Sequence, residues 1–115
     1  MAIHHAASGE LINVRPLREE LLTAQTKALY KSDQLEVFRM VLLAGVSVPE
    51  HQVVGEFTVQ CLEGSVEFSI AGTSEILRQG DLMCLSGCVP YALQALEDSS
   101  ILFTLLLQGA SALDG

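Results

Sequence analysis

Cations are scarce in this 115-residue sequence: 6 Lys and Arg stand against 14 Asp and Glu, giving a formal charge of -8 and a pI near 4.6. So acidic a surface repels phosphate, which argues against direct binding to nucleic acid or to an anionic membrane. Long apolar runs are lacking too, none approaching the roughly 20 residues of a membrane-spanning helix. No charged-then-apolar leader with a small-residue cleavage site opens the chain. The expectation is a cytoplasmic protein.

Cysteine is also sparse. Cys61, Cys84 and Cys88 are odd in number and lack both zinc-ribbon and Cys-x-x-Cys spacing, so they are expected to be packed thiols. Cys88 falls in a loop near the candidate pocket, where reactivity is the minor alternative. His4 and His5 lie in a small-residue N-terminal segment, and two adjacent histidines make no metal site. There is no β–α–β alternation, internal repeat or linker. Residues 1–115 are therefore assigned to one domain, with 1–10 flexible and a barrel core of about 35–107.

Half of the residues are hydrophobic and only 17% are charged, which fits a compact fold with apolar surface left to hide. A homodimer would hide it. Pro16, followed by Glu19 and Glu20, predicts a short helix, with Leu17, Leu21, Ala24 and Ala28 on one face. The later part of that segment reads equally as an edge strand. Leu35 to Leu43 is nearly continuous in strand formers, and Gly45 ends it. A hairpin over 56–70 follows, then runs at Thr73 to Leu77, Leu82 to Leu85, Tyr91 to Ala95 and Ile101 to Leu107. Roughly eight strands at short intervals, separated by glycine-rich or acidic turns, predict an all-β sandwich or barrel.

The segment Val48 to Gly64 carries the chemistry. His51 and Glu56 flank a loop closed by Gly55, after which Glu56, Thr58 and Gln60 alternate with Phe57, Val59 and Cys61. That period of two is a strand.

At these residues the sequence resembles the small single-domain cupins of the RmlC-like jelly-roll type. Their first motif runs glycine, five residues, His-x-His, a few residues, glutamate, then a strand to a glycine. Here it reads Gly45, His51, Val53, Glu56, Gly64. In the second motif, opened by Gly80, Asp81 and Leu82, the residues Ser86, Cys88 and Tyr91 replace proline, glycine and histidine. The resemblance covers about Leu35 to Leu107. It implies an all-β cupin double-stranded β-helix, a jelly-roll barrel with a short N-terminal helix, often homodimeric, with a divalent metal held by two or three histidines and a glutamate. Carried over by position, His51 and Glu56 match ligands, Tyr91 stands where the last histidine would, and Val53 cannot coordinate. The resemblance also points Glu56, Thr58 and Gln60 into the lumen and Phe57, Val59 and Cys61 outward.

A first-row metal needs three or four donors, and only His51 and Glu56 are firm ones, so they are the metal ligands only if a metal is bound. Gln52 offers an amide oxygen, and Tyr91 a phenol whose ordinary pKa of about 10 opposes deprotonation. The expectation is a pocket of His51, Gln52, Glu56, Thr58, Gln60 and Tyr91 binding a small polar metabolite in the barrel without tight metal. The alternative is a metal-dependent cupin enzyme of dioxygenase or isomerase type with an atypical ligand set. A metal-independent epimerase-like variant would use His51 as base and Tyr91 as acid. The blander alternatives are a loop-stabilising rim histidine at His51 and, at Tyr91, a mouth residue packed against Pro90. No cofactor is expected, a divalent metal being the alternative, and no catalytic residue is assigned.

Overall fold

The computed structural model describes residues 5–107. A single 3-10 turn, Arg18–Leu22, precedes nine strands among these residues. They are β1 (Lys27–Lys31), β2 (Leu35–Leu42), β3 (Ser47–His51), β4 (Phe57–Glu63), β5 (Ser65–Ile70), β6 (Thr73–Arg78), β7 (Leu82–Leu85), β8 (Tyr91–Ala95) and β9 (Ser99–Leu106). They form two antiparallel sheets, ordered β1-β2-β9-β4-β7 and β3-β8-β5-β6. This is the expected all-β jelly roll. No helix among the described residues is long and apolar enough to cross a membrane.

The helix expected from Pro16 shrinks to that 3-10 turn, whose Leu21 alone is buried. Ala24 lies beyond it and Ala28 belongs to β1, so the edge-strand alternative describes that stretch. No strand was assigned to Ser47–His51, which forms β3. Its proline and its polar, exposed residues gave no alternation to read. Of the segment expected to be flexible, Met1 to His4 lie outside the described residues; His5 is exposed, and Ala6 donates its N–H to the Leu29 carbonyl at 2.8 Å.

The core lies between the sheets. Phe57, Val59 and Cys61 of β4 are 2%, 0% and 0% exposed, packed with Ile101 and Phe103 of β9 and with Val66, Phe68 and Leu93 of the other sheet. This corrects the expected facing of β4: the apolar set fills the barrel, while Thr58 and Gln60 lie half-buried on the other face. A strand of period two has only two phases, and burying Phe57, Val59 and Cys61 removes far more apolar area from water than the reverse phase would.

One extra residue in β4 then changes the facing. Cys61 is paired with Ile101, but Glu63 is paired with Ser100, so Leu62 is bulged out of register. The bulge turns Glu63 to the outer surface of the five-stranded sheet. There its carboxylate accepts the N–H groups of Leu17 and Arg18, at 2.8 and 3.0 Å, and the Ser100 hydroxyl at 2.9 Å. Arg39, on the same surface, donates to the Arg15 carbonyl at 2.7 Å. The N-terminal strap is thus tied down by a buried acid and a buried base.

Candidate functional site: the barrel mouth

The last residue of β3 and the first of β8 are directly paired, His51 with Tyr91. The rings meet edge-on, with centroids 5.9 Å apart and planes at 88°. Pairing fixes both backbones, so the imidazole is held against the phenol although His51 itself is exposed. Gln52, the next residue, is exposed beside it, and Val53 packs against the core.

Tyr91 is the hub of an aromatic cluster. Its ring lies 5.2 Å from Phe57, 5.4 Å from Phe68 and 6.2 Å from Phe103, and is itself only 4% exposed. Such offset and tilted rings fill space at the density of a protein interior. Burial raises the pKa of the Tyr91 phenol above its ordinary value, so it stays protonated at neutral pH.

Two glycine-like positions close the mouth. The Cys88 N–H reaches the Val53 carbonyl at 2.7 Å, drawing the 86–90 loop onto the 52–56 loop. A Cβ on Gly87 would collide with the Val54 carbonyl, so only glycine permits this approach. Cys88, in contrast, holds a left-handed φ of +63° without being glycine.

The structure divides the six candidate residues into two neighbourhoods. His51, Gln52 and Tyr91 sit at the mouth. Glu56 and Thr58 instead line a depression of about 210 Å³ with Leu35, Phe57, Cys84, Thr104 and Leu106. Thr58 is paired directly with both Thr104 and Cys84. Gln60 lies one step along the same surface, paired with Leu102 and Leu82.

The lumen residues that sequence reasoning missed are Phe57, Phe68 and Phe103. The signal was present in the β4 alternation, whose apolar phase alone names the inward face. Glu63 and Arg39 had no comparable signal, because their burial depends on a bulge and on a strap distant in sequence.

The donor set decides whether a metal of the cupin kind fits. Phe57 and Phe103 pack against Tyr91 and Val53 against the core, none of them offering a lone pair, and His51 is the one imidazole there among the described residues. No group of three or more His, Cys, Asp or Glu side chains among the described residues is placed to hold a metal ion. These residues do not fit the group.

No family model matches the sequence, and no curated protein does. Solved structures match well. A cupin superfamily protein from Desulfitobacterium hafniense DCB-2 superposes with a TM-score of 0.73, at 20% identity, over 85% of this chain and 95% of the other. KdgF from Halomonas sp. gives 0.67 at 19% identity over 76% and 82%. Salicylate 1,2-dioxygenase from Pseudaminobacter salicylatoxidans gives 0.61 at 25% identity, over 64% of this chain and 21% of the enzyme. The chain has the cupin fold, the double-stranded jelly roll that the two motifs implied.

Proposed function

We propose that this protein is a noncatalytic, metal-independent cupin that binds a small polar metabolite at the barrel mouth, on His51, Gln52 and Tyr91. The observation that carries this reading is the exposed His51 imidazole held edge-on to a buried Tyr91. A neutral imidazole offers one donor and one acceptor, and Gln52 adds an amide with both. The ring hub beneath fills the lumen, so a ligand is met at the rim. The charge of -8 favours a neutral or cationic ligand over an anionic one.

The alternative is a metal-dependent enzyme of dioxygenase or isomerase type. Its support is the likeness to the salicylate dioxygenase, of which this chain spans about a fifth, 21%. The apolar side chains around Tyr91 oppose it.

Elemental mass spectrometry of the untagged native protein, beside His51→Ala, separates the two. The expected result is no stoichiometric metal in either, with a polar metabolite raising the melting temperature of wild type but not of His51→Ala. Near-stoichiometric metal that disappears in His51→Ala would overturn the proposal in favour of the enzyme.

A further inference from the structure

The depression on the five-stranded sheet holds chemistry that the mouth does not use. Strand register decides which side chains reach it. Thr58 is paired directly with both Thr104 and Cys84, while Leu106, two residues along β9 from Thr104, is paired with Leu35. Pleating puts these five on the face opposite the core, since Thr58 alternates with the inward Phe57 and Val59. Glu56 joins them because its carbonyl accepts the Leu106 N–H at 3.0 Å, which seats the residue before β4 beside the end of β9.

Three polar groups there have capacity to spare. Among the described residues, neither the Glu56 carboxylate nor the hydroxyls of Thr58 and Thr104 have a hydrogen-bond or ion-pair partner. Glu63 differs, its carboxylate being saturated by two backbone N–H groups and the Ser100 hydroxyl. Leu35 is half-buried and Leu106 is 51% exposed, so the surroundings of these acceptors are apolar. No Lys, Arg or His lines the depression, and Glu56 is the one charge in it. Apolar walls around a few convergent polar groups are the composition of a ligand site. The volume of about 210 Å³ lies below the roughly 300–1,000 Å³ of drug-sized pockets, so the occupant is small.

We propose that this depression binds a small organic ammonium ion, its apolar body against Leu35 and Leu106 and its charged head on the Glu56 carboxylate, with the threonine hydroxyls as further acceptors. Charge selects this class. An ammonium group only donates hydrogen bonds, and all three free groups can accept them. A carboxylate or phosphate would meet Glu56 on a molecule of net charge -8 and be repelled. A neutral polyol would gain nothing from the charge of Glu56 and would leave the two leucines facing hydroxyl groups. The site shares no residue with His51, Gln52 and Tyr91, so each binding site stands or falls without the other.

Titration of the isotope-labelled full chain with benzylamine, followed by amide chemical shifts, tests it, with benzyl alcohol and benzoate as matched neutral and anionic probes. Benzylamine should shift the amides of Glu56, Thr58, Cys84 and Thr104 and bind roughly threefold or more tightly than benzyl alcohol, the scale of one exposed ion pair, while benzoate should not bind. Glu56→Gln, a change at an exposed residue that keeps its shape, should bring benzylamine down to the level of the alcohol. His51→Ala should bind benzylamine as wild type does. Equal binding of amine and alcohol, indifference to Glu56→Gln, or shifts confined to the mouth would overturn the proposal. Alkylation by iodoacetamide gives a reading free of mutation: benzylamine should slow reaction at Cys84 and leave Cys88 unaffected, and an unchanged rate at Cys84 would equally overturn it.

Discussion

Leu17 donates its backbone N–H to Glu63 Oε2 across 46 residues of sequence, at 2.8 Å, fastening the strap to the outer face of the five-stranded sheet. Arg18 adds its own N–H, for which it adopts the left-handed φ of +57°. Burial opposes ionisation of Glu63, but the two N–H groups, the Ser100 hydroxyl and the Arg39 charge outweigh it and hold its pKa below the ordinary value.

A carboxylate with a depressed folded pKa stabilises above its unfolded pKa, and that stability is lost as pH falls through the folded value. Glu63→Gln should therefore lower stability at neutral pH by about 2–3 kcal/mol, the scale for charge-assisted hydrogen bonds whose loss strands a buried base. The gap between wild type and variant should close as pH drops below about 4. Urea unfolding of both proteins across acid pH measures it; a gap that widened in acid would contradict the assignment.

The thiols should separate by place. Cys84 and Cys88 are exposed, whereas Cys61 is buried, with burial as the main cause pushing its pKa up to about 11. Titration of the native protein with a thiol reagent at neutral pH should count two cysteines, and the third should appear only in denaturant.

Truncating the ring hub should be expensive. Tyr91→Ala removes contacts with Phe57, Phe68, Phe103 and His51 and should cost about 3–5 kcal/mol, as large-to-small aromatic changes in cores do. Tyr91→Phe keeps every ring contact and should stay within about 1.5 kcal/mol of wild type. Chemical denaturation reports both, and the ligand response of Tyr91→Phe tests whether the hydroxyl takes part in binding.

At the mouth, Cys88→Gly should stabilise by about 0.5–1 kcal/mol, because glycine adopts the φ of +63° without the left-handed penalty. Gly87→Ala should act oppositely, its methyl meeting the Val54 carbonyl and lifting the 86–90 loop. Paired thermal melts of the two variants give the signs.

Much of the architecture was readable along the chain. β2 follows from its continuous run of strand formers, and β4 to β9 from short apolar or alternating runs bounded by turns, since a pleated backbone imposes its period directly on the side chains. β1 was read only as the alternative to a helix, and β3 was not read, because an edge strand with a proline and polar, exposed residues carries little periodic signal. The resemblance put His51 and Tyr91 in one candidate pocket with Glu56, Thr58 and Gln60, and the strand register pairs His51 with Tyr91.

The phase of β4 shows where local pattern and resemblance parted. Alternation established which residues share a face, and the family motif then sent Glu56, Thr58 and Gln60 inward. Packing chose the opposite, because an enclosed barrel stabilises Phe57, Val59 and Cys61 there far more than it would three polar side chains without partners.

Local sequence thus specified most of the strands and their turns, which are properties of neighbouring residues, while the resemblance marked Val53 and Tyr91 as substituted ligand positions. The outward turn of Glu63, its seat under Leu17 and Arg18, and the separation of Glu56 from His51 arose only in three dimensions. Each depends on a bulge, a register or a contact between segments tens of residues apart, for which no local pattern exists.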